Sequence, residues 1–304
     1  MKYRVYKMKF NTAVHFGNGM LNESDFIFKS DSLFSALYIE SIKLNCHEQF
    51  YKCIEEGCVS FSDLLPYIED RYYIPKPNLY IDTNNLNKGD SIEKKKIKKI
   101  KYIPVDKIDS FLSGVYESDE EKFGEKFTMS KAYVRTKEDT EPYHVGTFKF
   151  YDNAGLYIIL AYKNEKDLEI IEKLLESLSY TGIGGKKSQG LGKYTLLNSK
   201  DTETLIHRLD LNDKKVYMTL STCMAREDEL AKSLDGASYS LIKRSGFVDS
   251  LNFSEEPLRK KDFFMFNSGA CFVNKFEGGI FDLSPFNGKH PVYRYARPLF
   301  IGVK

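Results

Sequence analysis

The sequence has no tryptophan, only five histidines and nine prolines in 304 residues, and almost no net charge. Its 45 basic side chains nearly balance 43 acidic ones, so the formal charge of +2 selects no polyanionic partner. If such a partner exists, local clustering of charge has to reveal it. The five cysteines, Cys46, Cys53, Cys58, Cys223 and Cys271, form no Cys-x-x-Cys pair and no Cys/His comb with zinc spacing. Reduced, mostly structural thiols are expected, with no metal site and no cofactor. No apolar run approaches the roughly 18 residues of a membrane span. The opening MKYRVYKMKF lacks an apolar signal core. The expectation is a cytoplasmic protein without membrane contact.

What is abundant is aromatic: 21 Tyr and 22 Phe, enough rings to fill a core or to stack on bases, with packing the commoner use. The length suits about two domains. Residues 3–10 alternate, with Tyr6, Met8 and Phe10 on one face and Lys7 and Lys9 on the other, the pattern of a half-buried strand. KSDSLFSALYIESIKL offers serine caps and near-helical spacing of Leu33, Leu37, Ile42 and Leu44. Segment 46–68 reads as a further helical piece, and 116–127 as an acidic, solvated connection. GLYIILAY at 155–162 is an apolar strand. It is followed by a helix whose Leu168, Ile171, Leu174, Leu175 and Leu178 share a face, and then by a strand at 193–199.

Between the two aromatic flanks of 72–106 lies a polar middle carrying Lys94, Lys95, Lys96, Lys98, Lys99 and Lys101, which predicts a hairpin-like insertion. Solvated surface and polyanion contact both remain open for the lysines. The element order predicts an α+β fold whose first part is a ferredoxin-like, split βαβ unit. Segment 204–215 looks like a boundary. The remainder reads as strand-rich, with helical signals mainly at 226–234 and 257–261.

TGIGGKKSQGLGKY, residues 181–194, is the most distinctive stretch. It is no Walker A loop: Tyr180 stands where the first glycine belongs, Lys187 stands where Ser or Thr belongs, and the order is helix then strand. The dinucleotide fingerprint fails at Lys187. What remains is Gly182-Ile183-Gly184 and Gly190-Leu191-Gly192 around Gly185, Lys186, Lys187, Ser188 and Gln189. Glycines permit positive φ and close backbone approach, while the polar residues offer donors to phosphate and ribose. That chemistry suits an extended nucleic-acid strand. A helix-to-strand turn is the plainer use of some of these glycines.

This glycine pattern after a second helix resembles the glycine-rich loop of the RAMP superfamily, the RNA-binding proteins of CRISPR systems. HFGNGMLNESDFIFKSDSLFSALYIE, YIPKPNLYI, EPYHVGTFKF, SYSLIKRSGFVDS and VYRYARPLFIGV narrow the likeness. Together they resemble the type III-A (Csm) effector subunit that binds the 5′ handle of the crRNA. The resemblance implies two tandem ferredoxin-like, RRM-related domains, 1–203 and 204–304, the first with a thumb-like hairpin insertion at about 76–102 and the glycine-rich loop at 182–192. It implies as partners the crRNA 5′ handle, the large palm-domain subunit and the adjacent backbone RAMP subunit, with target RNA met only indirectly. Non-catalytic capping is the function so implied.

The RNA-contact candidates are His15, Gly184, Gly185, Lys186, Lys187, Ser188, Gln189 and Gly190, with Lys94, Lys95, Lys96, Lys98 and Arg135. Lys243, Arg244, Arg294 and Arg297 join them from the second part, where arginine can pair phosphate or stack on bases. Pairing with any of the many acids is the plain alternative for these last four. His15 follows the first strand, where related repeat-cleaving RNases can carry a catalytic histidine, so a metal-independent endoribonuclease is the competing reading. No acid–base partner for it is legible. Asp31 reads as a helix cap. His47, His144, His207 and His290 show no metal or triad spacing.

Overall fold

A computed structural model describes the chain apart from residues 82–98, 117–120, 135–139, 249–257, 287 and 304. The fold is α+β. Its first part runs β1 (Lys2–Phe10), β2 (Phe16–Asn18), β3 (Met20–Asp25), α1 (Ser30–Lys43), α2 (His47–Glu55), β4 (Val59–Phe61), β5 (Leu65–Ile68), β6 (Arg71–Pro75) and β7 (Tyr102–Pro104). Then follow α3 (Ile108–Leu112), β8 (Gly124–Val134), β9 (Thr140–Phe150), β10 (Ala154–Tyr162), α4 (Glu165–Thr181), β11 (Tyr194–Asn198) and α5 (Glu203–Asp210). The rest is short strands with one helix: β12 (Tyr217–Thr219), α6 (Glu227–Leu234), β13 (Leu241–Arg244), β14 (Phe263–Phe266), β15 (Cys271–Phe272), β16 (Ile280–Asp282), β17 (Tyr293–Tyr295) and β18 (Phe300–Gly302).

The main sheet has the order β11-β1-β10-β5-β6-β7, with β4 also on β10. Every residue of β10 is buried, which explains an apolar run without alternation: both faces of the strand are covered. On one face Tyr6, Met8, Leu156, Ile158 and Leu160 pack with Leu33 and Leu37 of α1, Phe50 of α2, and Ile171 and Leu175 of α4. On the other, Val5, Tyr157 and Ile159 pack with Ile108, Phe111, Leu205 and Leu209, and with Met218, Leu220 and Ile301 from the second part. The two parts therefore share a core, across which each buried aliphatic side chain contributes about 1.5–3 kcal/mol.

β1 departs from the half-buried expectation. Lys7 is buried, its Nζ held by Asp70 Oδ1 at 2.6 Å and the Glu69 carbonyl at 2.7 Å, over the rings of Tyr67 and Tyr72. Segment 46–68 is helical only through Glu55, since β4 and β5 follow to supply sheet edges to β10. The boundary expected at 204–215 contains α5, whose Leu205 and Leu209 join the core. Described residues 258–261 form no helix; Arg259 bridges to Phe247 instead.

The base of the insertion is a hairpin, with Tyr73 opposite Pro104 and Pro75 opposite Tyr102. Its lysine-rich middle lies outside the described residues. A second hairpin, β8 with β9, pairs Gly124 with Phe150 through Val134 with Thr140 and was not legible as a strand pair. Among the described residues no helix is long and apolar enough to cross a membrane.

Candidate nucleic-acid interface

The glycine-rich loop closes on its own chain. α4 ends where Gly182 takes φ 82°, and Gly184, Gly190 and Gly192 also have positive φ, a region where a Cβ costs about 1–2 kcal/mol. Ile183 N donates to the Gly192 carbonyl at 3.0 Å, so the two glycine pairs lie side by side, with Ile183 and Leu191 buried beneath them. A Cβ on Gly192 would stand 2.0 Å from the Ile183 oxygen. Gly185 N donates to the His15 carbonyl at 2.8 Å and Gly192 N to the Ala13 carbonyl at 2.9 Å, tying the loop to the segment after β1. The close approach these glycines allow is to protein backbone. Between them Lys186 stands in the left-handed region at φ 58°, a rare conformation for a lysine, before one 3-10 turn of Lys187–Gln189.

This tie places Gly184, Gly185 and Lys187 on the rim of a cleft of about 1020 Å³. The start of α1 contributes Lys29 and Ser32, the first strand's exit contributes His15, Phe16 and Gly17, and the second part contributes Arg244, Ser245, Lys260, His290, Tyr293 and Arg294. No Asp or Glu is among the described residues lining it. A chain with nearly equal acids and bases has thus sorted cations onto one concavity, together with the rings of Phe16, Phe28, Phe34, Tyr38 and Tyr293. Positive charge beside aromatic faces suits single-stranded nucleic acid.

His15 is 7% exposed, with Nδ1 2.6 Å from the Gly146 carbonyl oxygen. That acceptor requires the proton on Nδ1 and leaves Nε2 as the unprotonated nitrogen of the neutral ring. A Cβ on Gly185 would meet the ring's Cδ2 at 2.7 Å, so the imidazole fills the space that this glycine vacates.

Two buried carboxylates lie beneath this lining and hold its residues in place. Asp63 accepts from Ser30 N at 2.9 Å, Thr222 N at 2.8 Å, Thr222 Oγ1 at 3.1 Å and Lys29 Nζ at 3.1 Å. It fixes the first turn of α1 to the second part of the chain. Asp31 is fully buried, and it is no helix cap: α1 has no side-chain cap at its start. Instead it receives Arg244 Nε at 2.8 Å and Nη2 at 3.0 Å, and Arg294 Nη1. Burial alone would raise the Asp31 carboxyl, but the guanidiniums of Arg244 and Arg294 outweigh it and hold the group below its ordinary value.

The structure brings together His15, Gly184, Gly185, Lys187, Arg244 and Arg294 from the sequence candidates. Arg244 and Arg294 also have the acidic partner that was the plain alternative for them. Lys186 leans over the Tyr143 ring at 5.4 Å, and Gln189 accepts from Lys131, both on the β8–β9 side. Lys243 pairs with Asp262 at 2.7 Å. Arg297 is buried away from the cleft lining, donating to the Glu55 carbonyl. Ser188 and Gly190 belong to the turn and do not line the cleft. Lys94, Lys95, Lys96, Lys98 and Arg135 lie outside the described residues. Asp63 was missed altogether. Its partner Thr222 is 159 positions away and nothing local marks it.

Similarity to known proteins follows the same outline. Residues 212–303 match the CRISPR Csm4 C-terminal domain. The chain is 36% identical over 309 residues to the CRISPR system Cms protein Csm4 of Mycobacterium tuberculosis (strain CDC 1551 / Oshkosh), covering 100% of this chain and 98% of the relative. It is 32% identical to the Streptococcus thermophilus protein of the same name, covering 99% and 98%. Among solved structures it resembles a chain of the Csm3-Csm4 subcomplex in the type III-A CRISPR-Cas interference complex, with TM-score 0.68, 21% identity and both chains covered in full. It also resembles a chain of the Csm1-Csm4 cassette in complex with cA4, with TM-score 0.60, 16% identity, and 99% and 98% covered. Fold and sequence together define an α+β protein of CRISPR systems. Within that class the chain belongs to the Csm4 family.

Proposed function

We propose that this chain is a non-catalytic RNA-binding subunit of a cytoplasmic type III-A CRISPR effector complex. In this reading it caps and anchors the crRNA 5′ handle and links the backbone filament to the large palm-domain subunit, meeting target RNA only indirectly. The observation that carries it is the cleft, where His15, the glycine-loop residue Lys187 and Arg244 converge with no acidic side chain among the described lining residues. Phosphate contacts would supply most of the affinity and make it fall with salt. Bases splayed onto Tyr38 and Tyr293, the partly exposed rings of the lining, would supply sequence preference.

The partners are inferred from relatives: the similar solved chains belong to Csm3-Csm4 and Csm1-Csm4 assemblies. We read the chain as two tandem ferredoxin-like domains, 1–203 and 204–304, with the insertion at about 76–102 as a thumb across the RNA. The antiparallel succession β11-β1-β10-β5, with α1 after β1 and α4 between β10 and β11, supports this for the first domain. For the second it rests on β12, α6, β15 and β18.

The environment of His15 favours contact over catalysis. Its Nδ1 is held by a backbone carbonyl, where an activated imidazole commonly has a carboxylate that stabilises its charged form. The test is photo-crosslinking of 4-thiouridine-substituted guide RNA in the purified complex, with the crosslinked peptides mapped. Adducts on peptides containing residues 15–17, 181–192 and 241–248 are expected. Adducts confined to other surfaces, or none on this chain, would overturn the assignment.

A further inference from the structure

Among the described residues three cations that line the cleft, Lys29, Arg244 and Arg294, meet two carboxylates buried beneath them, Asp31 and Asp63. One unit of positive charge is left over. The two carboxylates are fully buried and Arg294 is 5% exposed, while the Arg244 and Lys29 side chains are 26% and 20% exposed, so among the described residues this excess is only partly screened by water. Among the described residues Arg294 Nε is also buried without a hydrogen-bond partner. Uncompensated positive charge in a partly buried cleft is costly, and an anion placed against the exposed edges of Arg244 and Lys29 would offset that cost.

Beside them lies the start of α1, a 14-residue helix whose first turn carries the positive end of the macrodipole. Lys29 and Ser32 line the cleft there, and Arg244 Nη2 donates to Ser32 Oγ at 2.7 Å. Asp31 fixes the plane of Arg244 through two parallel hydrogen bonds, a forked geometry that leaves the guanidinium little rotational freedom. From these observations we propose that the α1 start, Arg244 and Arg294 form a preorganised seat for a single phosphate, with Asp31 as its positioning residue. The inference rests on the RNA-binding reading and sharpens it: one linkage of the bound strand is held much more specifically than its neighbours.

The experiment is a phosphate-neutralisation scan on the full chain. The RNA that copurifies with it is resynthesised with one methylphosphonate linkage at a time, and each version is tested against wild type, Arg244→Lys and Asp31→Asn. Melting curves establish that the variants are folded. In wild type, neutralising one particular linkage should weaken binding roughly tenfold, as loss of a charge-assisted hydrogen bond does, and neutralising the others much less. In Arg244→Lys and Asp31→Asn that same linkage should lose most of its advantage, the coupling expected of groups in contact.

If RNA binds but no linkage stands out, or the sensitive linkage is unaffected by both variants, the seat does not exist while the RNA-binding reading survives. If no RNA binds in any form, that reading fails and the seat with it. Inorganic phosphate serves as the control for the free ion: competition at millimolar concentration against wild type, lost in the charge-conserving Arg244→Lys, supports a phosphate seat. Competition equal in wild type and Arg244→Lys assigns the effect to general screening and counts against it.

Discussion

Arg244 and Asp31, 213 positions apart, are joined by two parallel hydrogen bonds of 2.8 and 3.0 Å across the junction of the two parts of the chain. Asp31 is entirely buried and also holds Arg294. Removing the carboxylate would leave two largely buried guanidiniums without their anion, a loss of about 3–5 kcal/mol when one partner of a buried pair is deleted. Asp31→Ala should therefore lower the denaturant midpoint far more than Asp262→Ala, whose carboxylate and partner Lys243 are both exposed to solvent and screened by it. Similar midpoints for the two variants would contradict the clamp.

The same carboxylate gives an acid signature. Burial works against its charged form, yet Arg244 and Arg294 hold its folded value below the ordinary one. For a depressed carboxyl the added stability is complete above the unfolded value of about 3.9 and is lost as pH falls through the folded value. The stability gap between wild type and Asp31→Asn should be constant above about pH 5 and shrink below about pH 4. A gap independent of pH down to acid unfolding would exclude an ionised Asp31.

Glycines of the loop differ in what they tolerate. Gly190 has φ 85° and open space around its Cα, so Gly190→Ala meets only the left-handed penalty of about 1–2 kcal/mol. Gly192 has φ 76° and a Cβ there would overlap the Ile183 carbonyl. Gly192→Ala should be the more destabilising in thermal unfolding, and should also release the loop from Ala13. Equal melting temperatures would mean that the side-by-side glycine pairs do not form.

Lysine substitutions should separate the rim from the hairpin side. Lys187 lines the cleft, whereas Lys186 lies over Tyr143. Lys187→Ala should reduce the slope of log affinity against log salt by about 0.7, the value for one phosphate contact on a single strand. Lys186→Ala should change it less. The reverse order, read by RNA titration at several salt concentrations, would move the RNA path onto β8 and β9.

The two buried cysteines of the second part should be chemically silent. Burial pushes the Cys223 and Cys271 thiols up to about 12, which leaves almost no thiolate at neutral pH. Neither should react with iodoacetamide, as followed by peptide mass spectrometry, until the chain is unfolded. Rapid labelling of either in the native protein would contradict the packed second part.

Much of the first part was legible because its elements have strong periodicity: α4 and β10 lie within two residues of where their apolar patterns put them. The glycine loop announced itself, although Gly182, Gly184 and Gly192 stand against protein backbone of Leu191, His15 and Ile183. β8 was hidden because most of its side chains are exposed and alternate in no clear way. Asp31 and Asp63 were opaque for another reason. Each sits among apolar or small residues and takes its meaning from Arg244, Arg294 or Thr222, partners brought near only by the docking of the second part.

The measurement that bears most directly on the account is recovery and sequencing of RNA bound to the chain expressed with its neighbouring genes. Wild type would be compared with His15→Ala and Lys187→Ala. The account predicts guide RNA with uniform 5′ ends in all three, with clearly less of it in Lys187→Ala. Absence of RNA from the wild type, or accumulation of uncut repeat RNA in His15→Ala, would contradict it.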